Sequence, residues 1–143
     1  MKHNILIVSA ALTFLAVASA HAQTAKEIKA NIPFDFEAGV VKLKAGAYTI
    51  ERIETNQIVL TSSDRKLEAF AIAPKQLQRT RSDARGKLVF HRYGDRYFLA
   101  EVWVSRYTDG NGFYPSGAER RAGKEIAKSR PKPETTEILA LGK

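Results

Sequence analysis

The residues predict a mainly β domain, an antiparallel meander forming a small sandwich or barrel, with one surface helix near the C-terminus. Three observations carry this. Apolar and polar residues alternate from Ile28 to Phe36, the period of a half-buried strand. Two apolar runs, Leu88–Tyr93 and Arg96–Val104, flank Gly94-Asp95, a two-residue hairpin turn in which glycine supplies the unusual backbone angle. Ser116 and Glu119 have capping-box spacing ahead of helix formers that continue to about Lys128, which predicts a helix over about 117–128.

In chain order, Ile28, Ala30, Ile32, Phe34 and Phe36 share one strand face, and Pro33 on the other side marks an edge or first strand. Leu43 to Ile50 is a turn feeding a second strand that runs to about Ile53. Glu54-Thr55-Asn56 turns the chain into Ile58–Thr61, and Ser62-Ser63-Asp64 turns it into Leu67–Ala73, which Pro74 stops. Residues 75–86 lack periodicity and read as an exposed loop. In the hairpin, Val89, His91 and Tyr93 lie beside Phe98, Ala100 and Val102, and both faces are largely apolar, as in a central hairpin covered on both sides. Asp109-Gly110-Asn111-Gly112 reads as a turn. The helix has a thin apolar stripe, Ala118, Ala122 and Ile126, and Pro131 and Pro133 end it, leaving 131–143 as a flexible tail. Residues 23–130 therefore read as one domain.

Residues 1–22 read as a secretory signal peptide. Lys2 and His3 precede an apolar run from Ile5 to Ala18, shorter than the roughly 20 residues of a membrane span, and Ala20-His21-Ala22 supplies a cleavage pattern before Gln23. The expected mature protein is exported to periplasm or medium, with no membrane-spanning segment after cleavage. The chain has 143 residues and no cysteine, which excludes disulfides, a thiol nucleophile and cysteine-ligated zinc. Without Lys2, 22 basic residues face 15 acidic ones. Outside the cytoplasm that excess points to anionic lipid or polymer and away from nucleic acid.

No catalytic constellation is evident. After cleavage His91 is the lone histidine, and no Gly-x-Ser-x-Gly elbow accompanies it. Asp35 and Glu37 alternate on one strand side at about 7 Å, a spacing compatible with glycoside cleavage or with a solvated polar face. Glu101 interrupts an apolar face and is expected to pair with an Arg or Lys. The oxygen ligands of Asp109–Gly112 fail the EF-hand spacing. The expectation is no enzyme activity, no metal and no cofactor. Basic residues are the stronger signal. Residues 75–92 hold Lys75, Arg79, Arg81, Arg85, Lys87 and Arg92 against Asp83. Residues 120–132 hold Arg120, Arg121, Lys124, Lys128, Arg130 and Lys132 against Glu125. Tyr107, Phe113 and Tyr114 could add an amphipathic edge if exposed.

Three segments also carry a resemblance: Asn31-Ile32-Pro33-Phe34-Asp35-Phe36, Leu43 to Ile50, and Leu88 to Leu99. With Tyr114-Pro115-Ser116 to Glu119 they resemble a group of uncharacterised small exported bacterial β-proteins bearing PFDF, L-x-AG-x-Y-T and HRYGD-x-YFL segments. The resemblance spans most of residues 31–128 and implies export and a shared fold, with no active site. Lys44 stands where a proline is common in that group.

The expected function is a non-enzymatic exported β-domain that binds an anionic envelope lipid or polymer, or a protein partner. Arg79, Arg81, Arg85, Arg120, Arg121, Lys124 and Lys128 would supply the contacts. The alternatives are a small cell-wall hydrolase using Asp35, Glu37, Glu101 or His91, and a structural homo-oligomeric envelope subunit recognised by an exposed strand edge.

Overall fold

A computed structural model describes residues 27–81, 85–104, 108–129 and 134–141, and these form two packed sheets, a sandwich and not a closed barrel. The expected leader over 1–22 lies outside the described residues. In order, the elements are β1 (Glu27–Ile32), β2 (Phe36–Ala38), β3 (Val41–Leu43), β4 (Gly46–Arg52), β5 (Gln57–Ser62), β6 (Glu68–Ile72), β7 (Lys75–Gln78), β8 (Lys87–Tyr93), β9 (Arg96–Trp103), β10 (Asp109–Gly112), α1 (Gly117–Ile126) and β11 (Glu134–Leu139). The first sheet runs β1-β4-β5-β6, and the second β11-β8-β9-β10-β7. The β2–β3 hairpin joins the second sheet through a short parallel pairing of Phe36 and Glu37 with Tyr97 and Phe98 of β9.

The alternating run from Ile28 is divided between the sheets. Proline has no N–H for a ladder, and after Ile32 the chain leaves the first sheet through Pro33 to re-enter pairing at Phe36 in the second. Ile28, Ala30, Ile32 and Phe36 still face one core, so the alternation survives the change of sheet. Ile50, Ile58 and Leu60 meet Leu88, Phe90 and Leu99 there, all almost fully buried. Each such side chain contributes about 1.5–3 kcal/mol by leaving water. The segments around Phe34, Tyr48 and Tyr97 converge on this core. Phe34 stacks on Tyr97 at 3.7 Å, while Phe36 meets both Phe90 and Tyr48 edge-on.

The β8–β9 hairpin turns at Gly94, whose φ of 62° suits glycine. Its pairing contains a bulge: Val89 faces Glu101 but Phe90 faces Leu99, leaving Ala100 unmatched. The extra residue reverses the faces beyond it. Val102, expected beside Val89 and His91, enters the core opposite Leu88, and Glu101 and Trp103 turn to the outer side.

Three further expectations are corrected. The predicted loop at 75–86 begins with β7, and the predicted turn at Asp109–Gly112 is β10, lying between β9 and β7. Asn111 is 2% exposed and donates to the carbonyls of Thr55 and Ala73, linking this strand to the first sheet. The expected flexible tail supplies β11, paired with β8 along six residues; neighbouring backbone groups of β8 thereby find partners. The helix itself falls where predicted, with Ser116 Oγ accepting from the Glu119 amide. No helix among the described residues is long and apolar enough to cross a membrane.

Candidate functional site

Residues directly opposite in a ladder share a face. The outer face of the second sheet therefore carries Lys87, Val89, His91 and Tyr93 opposite Trp103, Glu101, Phe98 and Arg96. Helix α1 covers the end near the Gly94 turn. Its Glu119, 5% exposed, lies 2.8 Å from His91 Nδ1 and accepts from the Tyr93 hydroxyl at 3.3 Å. Ala122 is buried beside them, and the Tyr93 ring lies under Gly123. Burial, together with the Glu119 charge, pushes the Tyr93 phenol above its usual pKa. The opposite side of the helix exposes Arg120, Arg121 and Lys124, and Lys128 is exposed in the turn that follows.

The other end of the same face is built around Trp103. Its ring covers Gly110, and the Arg79 guanidinium lies 5.2 Å from it. Arg81 and Arg85 are exposed on the segment that returns from β7 to β8. The seven basic residues expected to bind thus lie toward opposite ends of the second sheet, about 20 Å apart along β8. Lys44, Arg52, Lys66, Lys87, Arg92 and Arg96 are ion-paired with carboxylates. Arg81, Arg85, Arg121, Lys124 and Lys128 enter no ion pair with a described residue, and Arg120 donates to the Pro115 carbonyl. Of the aromatic residues considered for this surface, Tyr114 is exposed beneath Lys75 whereas Phe113 is buried in the core. Tyr107 lies outside the described residues.

A cavity of about 540 Å³ opens beside the β2–β3 hairpin and the Gly94 turn, rimmed by Asp35, Glu37, Asp95, Lys42, Lys44 and Arg96. Asp35 accepts from Lys44 Nζ at 2.8 Å and from the Ala45 amide at 2.9 Å. The Lys44 bond, followed by that amide, holds its carboxyl below the usual range. Glu37 accepts from Arg96 at 2.9 Å. Asp35 and Glu37 therefore both line the cavity, and each already holds a cation. His91 and Glu101 are absent from the rim. His91 has an orienting carboxylate in Glu119, but no serine hydrogen-bonds to it among the described residues. The ion pair expected of Glu101 is replaced by a hydrogen bond from Trp103 Nε1, at 2.7 Å. Among the described residues, no three His, Asp or Glu side chains gather as metal ligands.

Lys42, Asp95 and Arg96 were not legible as site residues, because three separate segments contribute the rim and no local pattern links them. Buried Glu119 carried a signal in its capping spacing, which located its amide and left its carboxylate free to reach His91. No protein-family model matches the chain, and neither the curated proteins nor the solved structures yield a match.

Proposed function

We propose that this protein is an exported, non-enzymatic β-domain whose exposed basic windows bind an anionic component of the cell envelope. One observation carries the reading: carboxylates neutralise many of the cations elsewhere on the molecule, while Arg81, Arg85, Arg121, Lys124 and Lys128 stay exposed and without ionic partners among the described residues. They lie toward opposite ends of the second sheet, a separation that an extended polyanion could span. Charges held this way attract phosphate or carboxylate over a range of about 8 Å at physiological salt.

The test is co-sedimentation of the mature protein with isolated envelopes at low salt and at about 0.5 M salt. Pelleting at low salt only is expected. Arg81→Glu with Arg85→Glu, and separately Arg121→Glu with Lys124→Glu, should each release most of the protein; Arg79 is left intact because it packs on Trp103. Pelleting that ignores both salt and charge reversal would overturn the reading. Separate pull-downs with anionic vesicles and purified wall polymer then identify the source of the anion.

A second reading, a homo-oligomeric subunit, is favoured by β6. This is an edge strand of the first sheet, and Phe70 and Ile72 on its outer side are 61% and 57% exposed. A second copy pairing along this edge would cover both. Light scattering that gives a monomer at high concentration removes this reading, and a dimer dispersed by Phe70→Lys supports it.

A further inference from the structure

We propose that the cavity between the β2–β3 hairpin and the Gly94 turn binds a short peptide-type zwitterion, a ligand with a free ammonium and a free carboxylate several bonds apart. Its volume of about 540 Å³ falls within the range of small-molecule sites. The rim carries Asp35, Glu37 and Asp95 against Lys42, Lys44 and Arg96. A ligand of one charge sign would meet as much repulsion as attraction there.

Four of the six charges satisfy each other, as the pairs Asp35–Lys44 and Glu37–Arg96. Lys42 and Asp95 are left, one of each sign, both exposed and neither ion-paired with a described residue. Lys42 sits opposite Glu37 across the hairpin, and Glu37 sits opposite Phe98, three residues beyond Asp95. Strand rise and spacing then separate the Lys42 and Asp95 Cα atoms by roughly 14 Å. Allowing for the two side chains, that span suits a ligand whose charges are well separated. An α-amino acid, with both groups on one carbon, reaches one of them and not both.

The surroundings are rigid. Tyr97, next to Arg96, is stacked on Phe34, and Phe36, between Asp35 and Glu37, is locked edge-on against Phe90. Such packing holds a polar rim in place before a ligand arrives. The cavity is lined by none of the residues proposed for envelope binding, and the proposal does not depend on that reading.

The experiment titrates the mature protein with unblocked trialanine, following backbone amide shifts by NMR, and repeats this with N-acetylated and C-amidated trialanine. Saturable shifts confined to residues near 35–37, 42–44 and 95–97 are expected. Each blocked peptide should bind about fivefold more weakly, the factor expected for one exposed ion pair. Lys42→Gln should abolish the preference for a free carboxylate and Asp95→Asn the preference for a free ammonium. Both are exposed positions, and an unchanged spectrum elsewhere confirms the fold. Absence of shifts at these residues up to about 10 mM peptide, or equal binding of blocked and unblocked peptides, overturns the proposal.

Discussion

A Cβ added at Gly110 would stand 2.6 Å from the Trp103 ring, closer than any real contact allows. Glycine is required there for space, since the indole lies directly on the backbone. Gly110→Ala should therefore cost about 1–3 kcal/mol by overpacking, seen as a lower denaturant midpoint. Gly117→Ala, whose Cβ would meet only the tips of Arg side chains, should be neutral or slightly stabilising. Asn111 is the complementary case: Asn111→Ala strips hydrogen bonds from the Thr55 and Ala73 carbonyls, for a loss of about 1–3 kcal/mol. Tyr93 titrates above the usual phenol value because it is partly buried and then because Glu119 is close. A raised folded pKa means that this contribution to stability is full below pH 10.0 and lost as pH rises through the folded value. Ultraviolet titration should show the phenol moving back toward its ordinary value in Glu119→Gln. Asp35 has the opposite sign. Its carboxyl is held low by Lys44, so its contribution persists above the ordinary carboxylate pKa and disappears as pH falls through the folded value.

At the scale of elements, β10 and β11 show where local pattern and final structure part. Asp-Gly-Asn-Gly has the composition of a turn, yet it pairs with β9 on one side and β7 on the other. Its glycines fit because Trp103 lies over Gly110, and Leu77 and Lys75 press on Gly112. None of those neighbours is adjacent in sequence. The tail after Pro133 bunches its apolar residues at Ile138–Leu141 with no two-residue alternation, and it becomes a strand because β8 presents an open edge to it. Removing residues 134–143 should leave one edge of β8 unpaired and strip from the core the packing that Ile138 and Ala140 supply. A substantially lower melting temperature is expected, and an unchanged melt would show that β11 adds nothing. The helix was legible through Ser116 and Glu119, because capping is a local interaction. Its docking was not: it depends on Glu119 reaching His91 and Tyr93 across 28 and 26 residues.

For the whole molecule, Arg52 of β4 joins the first sheet to the second. Its side chain, 7% exposed, donates to Asp109 at 2.6 Å and to Asn111 at 3.3 Å. Asp109→Ala removes a charged partner from a buried guanidinium and should cost about 1.5–3 kcal/mol, measured by equilibrium unfolding. At this scale the sequence by itself determined the class of fold and the main hairpin. Apolar alternation and turn chemistry act within a few residues, and a strand face once apolar must find a core. Charge composition likewise marked the two basic windows. Only the tertiary structure decided that Pro33 sends one alternating run into two sheets, and that the Ala100 bulge turns Glu101 and Trp103 outward. It alone assembled Lys42, Asp95 and their paired neighbours around one cavity. Those outcomes depend on long-range pairing and on the filling of space, and neither is encoded in the spacing of neighbouring residues.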